Sequence, residues 1–231
     1  MSDAFPGALM APPTASVQEN LDALQAERDS GWDAEQLRSQ EAFRLSLEEE
    51  AASRRTVRVG DVVSPFTLPE VDGGEVALTE LLATGPVVLI FFRFEGCPAC
   101  NAAWSAYQLS LAPVLQELGV HLVGVSPQAP EKLVAIKRRH DFQFQIASDP
   151  DATLIDELGI GFAPAEEDRE EQRLAGKDIG AILGTGNWVF PYPTALVIDR
   201  DRVVRFADIH PDWMVRTESD AILDAVRSLP I

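Results

Sequence analysis

Val87-Val88-Leu89-Ile90-Phe91-Phe92 runs through Arg93-Phe94-Glu95-Gly96 into Cys97-Pro98-Ala99-Cys100, and this stretch decides the fold. Six apolar residues in a row, several of them β-branched, predict a strand in a sheet covered on both faces. Pro98 suits the first position of a helix, where a missing N–H costs nothing. A helical pattern follows, carrying Trp104, Leu111, Leu115 and Leu118, with a kink expected at Pro113. A buried strand is thus expected to deliver two cysteines to the start of a helix.

That position has chemical consequences. A sulfur at a helix N-terminus sits beside unpaired N–H groups and the positive end of the dipole, which favour thiolate over thiol. Arg93 adds to this and Glu95 opposes it, so the side-chain contribution has mixed sign. Cys100, one turn on, is close enough to attack a modified Cys97, or the reverse, so the pair can cycle between dithiol and disulfide. A zinc site is the competing reading, but there is no second CxxC, and His121, His140 and His210 lie in unrelated segments. Two inert core thiols are the other alternative.

Working outward, Val120–Val125 reads as the next strand, Pro130–His140 as a helix, and Phe144–Ala147 with Asp151–Leu158 as a weaker repeat of the alternation. Ala195–Ile198 and Val203–Ala207 predict a hairpin across Arg200-Asp201, and Ser219–Leu229 a closing helix. Upstream, Phe66–Leu68 and Val76–Leu78 flank the turn Asp72-Gly73-Gly74. The segment from Phe162 to Trp188, charged and then glycine-rich, reads either as a rim over the site or as a plain connection. Trp104 and Trp188 read as packing residues. Val17–Arg54 is polar with apolar residues near helical spacing. A turn at Asp29-Ser30-Gly31 and a capping box from Asp33 to Gln36 divide it into two helices. The implied organisation is a disordered leader over 1–16, a helical extension over 17–56 and an α/β domain over 57–231.

The 231 residues suffice for one sizeable core, and a net charge of -18 argues against nucleic acid or an anionic membrane as partner. No apolar run approaches the ~20 residues of a membrane span, and the first residues show no secretory pattern, so a cytoplasmic location is expected.

These residues resemble the thioredoxin superfamily, and within it the peroxiredoxin-like branch of the alkyl-hydroperoxide reductase and thiol-specific antioxidant (AhpC/TSA) family. The likeness runs from about Val57 to Leu229. It is carried by Val59-Gly60-Asp61, Ser64-Pro65-Phe66-Thr67-Leu68, Phe91-Phe92-Arg93, Val123-Gly124-Val125-Ser126-Pro127, Ser148-Asp149, Tyr192-Pro193-Thr194 and Val197-Ile198-Asp199. It implies a thioredoxin-like fold with a central mixed sheet, and a thiol-dependent oxidoreductase with Cys97 and Cys100 as catalytic residues. Arg93, Pro98, Pro193 and Thr194 support the site. Neither cofactor nor metal is implied. The partners implied are a peroxide or disulfide substrate and an external thiol donor, thioredoxin-like or of low molecular weight, and a homodimer is compatible with the family.

The two frames within the superfamily assign the sulfurs differently. Typical peroxiredoxins place a threonine three residues before the attacking cysteine, which would make Cys100 the nucleophile and put Cys97 in the threonine's place. On that pattern Pro193 stands in the place of their later arginine. Thioredoxins pair a CxxC with a facing cis-proline, which Pro193 would supply. In that frame Cys97, expected to be the more exposed sulfur, attacks and Cys100 resolves. His210-Pro211-Asp212-Trp213 resembles a loop of this branch and carries no assigned role. A non-catalytic interaction protein using the N-terminal helices is the alternative function.

Overall fold

The computed structural model describes residues 14–174, 176 and 178–229; most of the leader expected over 1–16 therefore lies outside the described residues. Two helices come first, α1 (Val17–Gly31) and α2 (Ala34–Ala52). The antiparallel pair β1 (Thr67–Pro69) and β2 (Glu75–Ala77) leads into α3 (Leu78–Thr84). Strand and helix then alternate through β3 (Val87–Phe91), α4 (Pro98–Ser110), α5 (Ala112–Glu117) and β4 (His121–Ser126). The alternation continues with α6 (Pro130–His140), β5 (Gln145–Ser148) and α7 (Thr153–Glu157). The short β6 (Gly161–Phe162), α8 (Glu166–Leu174) and α9 (Ile179–Leu183) precede β7 (Phe190–Pro191). The chain closes with β8 (Thr194–Ile198), β9 (Val204–Ile209) and α10 (Ser219–Arg227).

The central sheet has the order β5-β4-β3-β8-β9. β3, β4 and β5 run parallel, while β8 is antiparallel to both β3 and β9. Every residue of β3 is buried, as its unbroken apolar run requires. Val88 and Ile90 face one core with α4, α6 and α10, whereas Val87, Leu89 and Phe91 face the other with α3 and α7. β3 thus occupies the middle of the sheet, and its C-terminal end leads to the first turn of α4.

The helix expected from Pro98 to Leu118 is interrupted at Leu111 (φ -100°, ψ -55°). Pro113 has no N–H to give the carbonyl of Leu109, so the ladder breaks and α5 starts on a new axis. Asp33 builds the expected capping box: its carboxylate accepts from the N–H groups of Glu35 and Gln36, and the Gln36 side chain accepts from Asp33 N–H. The turn lies not at Asp29-Ser30-Gly31 but beyond it, at Trp32-Asp33, because α1 continues through Gly31 and closes with Trp32 N–H on Arg28 C=O at 2.8 Å. The 162–188 segment contains α8 and α9, and α9 is tied to the start of α6 by Ala129 N–H on Leu183 C=O (2.8 Å).

α1 is fastened to the α/β layer by a carboxylate from the far end of the chain. Glu218 accepts hydrogen bonds from the N–H groups of Val17 (3.1 Å) and Gln18 (2.8 Å) and from the Ser16 hydroxyl (2.9 Å). A negative group there meets the positive end of the α1 dipole. Val17, Leu21 and Leu24 then pack into the core that contains α4, and Asn20 donates to Ala102 C=O (3.3 Å). Glu218→Ala should lower unfolding stability by about 1–2 kcal/mol, the usual worth of a helix N-cap strengthened by charge. Urea denaturation, with hydrogen exchange at the α1 amides, reads it out; an unchanged midpoint and unchanged exchange would show that Glu218 does not hold the helix.

Candidate active site: the Cys97–Cys100 pair

The loop from Phe92 to Gly96 is pinned on all sides. Phe92 N–H donates to Val125 C=O (3.0 Å), the Ser126 hydroxyl to Arg93 C=O (2.9 Å), and Glu95 N–H to the Gln128 side chain (2.9 Å). Asn101 bridges the loop to the helix, donating to both Glu95 C=O (2.8 Å) and Cys97 C=O (2.9 Å). Asn101 is held in turn by Arg139 (3.0 Å) and by a His140 ring nitrogen (2.8 Å). Burial, helped by the Arg139 charge, lowers the pKa of His140 to about 4, so this contact is made by a neutral imidazole near pH 7. The Glu95 carboxylate pairs with Arg139, at 2.6 Å. The opposing charge expected from the sequence is thereby neutralised.

Cys97 is the N-cap of α4, with Pro98 at the first helical position. Its Sγ accepts from the Cys100 N–H (3.3 Å) and from Arg93 Nη2 (3.2 Å). Burial alone would raise its pKa. A hydrogen bond from Cys100, the charges of Arg93 and Arg216, and the Arg93 hydrogen bond outweigh burial and hold Cys97 well below the ordinary thiol range. Cys100 goes the other way: burial, its hydrogen bond to Cys97 and the neighbouring negative sulfur push it well above that range. The site therefore favours ionisation of Cys97 over Cys100.

The second arginine escaped sequence reasoning. Arg216 Nη2 lies 3.6 Å from Cys100 Sγ, brought there by the segment between β9 and α10. Tyr107, on α4, secures that segment by donating to Thr217 C=O (2.7 Å). The loop pattern His210-Pro211-Asp212-Trp213 was the nearest signal, since Trp213 lies over Arg93 at 4.9 Å. A small cavity beside Cys100 is lined by Thr194, Pro193, Tyr107, Arg216 and Thr217, with about 10 Å³ open to the centre of a water molecule.

The AhpC/TSA family model matches residues 59–207. This chain belongs to the AhpC/TSA family. It is 26% identical over 156 residues to peroxiredoxin bcp1 of Schizosaccharomyces pombe, covering 68% of this chain and 69% of that protein. A putative peroxiredoxin of Mycobacterium tuberculosis, MT2597, is 30% identical over 124 residues, or 54% of this chain and 73% of its own length. Among solved structures, peroxidoxin BcpB from M. tuberculosis superposes with a TM-score of 0.59 at 25% identity, covering 76% of this chain and 99% of that one. With its cysteine pair so placed, this AhpC/TSA member is a peroxiredoxin-like thiol oxidoreductase working through thiol-based redox partners.

Two expectations are corrected. Pro193 lines the cavity, but its peptide bond is trans; there is no cis peptide bond among the described residues. The strand register of β8 against β3 and the His210 N–H bond to Pro193 C=O (2.8 Å) set this bend without one. Nor is Cys97 the more exposed sulfur, since Cys97 and Cys100 are 0% and 1% exposed. Both cysteines share a core cluster with Val17, Leu21 and Leu24 of α1, and Arg93 and Arg216 reach their sulfurs, none of which lies on α4. No group of three or more His, Cys, Asp or Glu among the described residues could hold a metal ion, and no described helix is long and apolar enough to cross a membrane.

Absorbance of the reduced protein at 240 nm should show one thiol ionising well below the ordinary range and the other above it. Arg93→Met should move the low step upward, because a charge and a hydrogen bond to the thiolate are both lost. Two coincident ionisations near the free-cysteine value would contradict this site geometry.

Proposed function

We propose that the chain reduces hydroperoxides, with Cys97 as the attacking thiolate and Cys100 as the resolving thiol, in the unit spanning residues 57–231. One observation carries this reading. Arg93 and Arg216 each direct one guanidinium nitrogen to a sulfur, and the Nε of each is buried without a hydrogen-bond partner. Buried donors without a protein partner are rare, and a water or a substrate oxygen can satisfy them. Donors beside a thiolate suit the oxygen on which negative charge develops as an O–O bond breaks. The arginine expected at the position of Pro193 is thus replaced by arginines from other segments.

The electrons and atoms run as follows. Cys97 thiolate attacks one peroxide oxygen, an S–O bond forms, the O–O bond breaks, and the leaving oxygen takes a proton as water or alcohol. Cys97 is now a sulfenic acid, oxidised by two electrons. The Cys100 sulfur attacks it, an S–S bond forms, and hydroxide departs as water with the Cys100 proton. Two equivalents of an external thiol, either of low molecular weight or from a thioredoxin-like protein, return the disulfide to the dithiol. The lowered Cys97 pKa also supports a second reading, exchange with disulfide substrates, in which the same CxxC acts without peroxide.

One equivalent of hydrogen peroxide should remove two hydrogens from the intact mass. Cys97→Ser should abolish peroxide consumption, Cys100→Ser should stop at the sulfenic acid, and Arg216→Met should slow peroxide reduction by about a hundredfold. A Cys97→Ser variant that still consumes peroxide would exchange the two roles. Turnover on insulin disulfides with none on peroxide would select the second reading.

A further inference from the structure

Asparagine is a poor choice inside a helix, where its side chain competes for main-chain groups. Asn101 does so in the first turn of α4, and its amide is used to capacity. Nδ2 donates to Glu95 C=O (2.8 Å) and Cys97 C=O (2.9 Å), while Oδ1 accepts from Arg139 Nη1 (3.0 Å) and His140 Nε2 (2.8 Å). Carbonyls only accept and a guanidinium only donates, so the amide has one orientation and His140 carries its proton on Nε2. The α6 side of this junction is itself packed. His140 stacks on Phe142 (5.0 Å between ring centres, 8° between planes), and Phe142 lies 5.2 Å from Trp104. Trp104, three residues after Asn101, shares its face of α4. Asn101 thus joins the loop after β3, the first turn of α4 and the end of α6 at one point.

We propose that Asn101 is a positioning residue for Cys97, locked by Arg139 and His140 of α6 and holding the turn in which Arg93 and the Cys100 N–H meet the Cys97 sulfur. The inference rests on Cys97 being the reacting sulfur. The two donors come from different segments: the Cys100 N–H (3.3 Å) belongs to α4, and Arg93 Nη2 (3.2 Å) to the loop before it. Asn101 bonds to both segments at once, and so fixes one donor relative to the other. The fold has other means of satisfying the same carbonyls. Glu95 C=O also accepts from Arg139 Nη1 (2.8 Å), and Cys97 C=O from the Asn101 main-chain N–H (3.0 Å). Removing the amide strands neither carbonyl, so its loss is felt at the sulfur more than in folding.

Titrating the 240 nm absorbance of the reduced full chain reads Cys97 ionisation with neither turnover nor a reagent that must reach the buried sulfurs. Asn101→Ala should weaken that ionisation about tenfold, although the charges of Arg93, Arg216 and Arg28 around Cys97 are left in place. His140→Phe keeps the ring stack but loses the donor to Oδ1, and should act in the same direction by about threefold. In both variants the proton concentration that halves peroxide consumption should move by the factor seen in the absorbance, a change that a merely structural role would not produce. Asn101→Ala ionising as the wild type does would overturn the proposal. Should that variant fold poorly, wild-type ionisation in His140→Phe would overturn it instead. The two readings fail separately. A wild type that consumes peroxide, with ionisation unchanged in the variants, removes only the positioning role. Shifted ionisation in variants of a chain that consumes no peroxide would overturn the catalytic reading and leave the positioning of Cys97 standing.

Discussion

The structure is organised around one constraint, the burial of the Cys97 sulfur among groups that lower its pKa. Desolvation works against a thiolate at this depth, and only several donors acting together reverse it. The main-chain N–H of Cys100 comes from the helix start and the Arg93 guanidinium from the end of β3, while the Arg216 charge comes from the chain's last loop. Arginine is the suitable cation for this task, since it stays charged when buried. In a chain of net charge -18, this pocket of positive charge is local and has to be assembled from distant segments.

Much of the surrounding architecture follows from holding those donors still. The Asn101–Arg139–His140 cluster fixes the Glu95 and Cys97 carbonyls and pairs the Glu95 carboxylate with Arg139. Tyr107 performs the same service for the Arg216 segment through Thr217. α9 reaches the site loop indirectly, because Gln128 both donates to Ile182 C=O (3.1 Å) and accepts from Glu95 N–H. Family membership supplies the scaffold on which this is built. On that scaffold Arg93 and Arg216 face the two sulfurs.

The N-terminal helices belong to the same account. A carboxylate near the C-terminus seats α1, and the aromatic stack from Arg93 to Phe43 extends the site out to α2. The shielding that makes the thiolate costly also concentrates the effect of each charge that stabilises it. Cover and electrostatics are therefore coupled through the same residues.

The sheet was legible because its signals are local. Six apolar residues make β3, a proline after Cys97 starts α4, and Pro113 breaks the helix where a missing N–H demands it. Asp33 and Gln36 announced α2 in the same way. The CxxC at a strand-to-helix junction marked the candidate reacting atoms for the same reason, since both the dipole and the spacing lie within one turn. Arg216 could not be found like this: it stands 116 residues from Cys100 and no periodicity links them. The trans peptide at Pro193 and the equal burial of the two sulfurs were likewise decided by how β8, the 210–217 segment and the extension pack together. By itself, the sequence determined where the sulfurs would sit on the backbone. Their charge and their cover were decided by the tertiary structure, because desolvation and Coulomb interactions depend on distance in space, not along the chain.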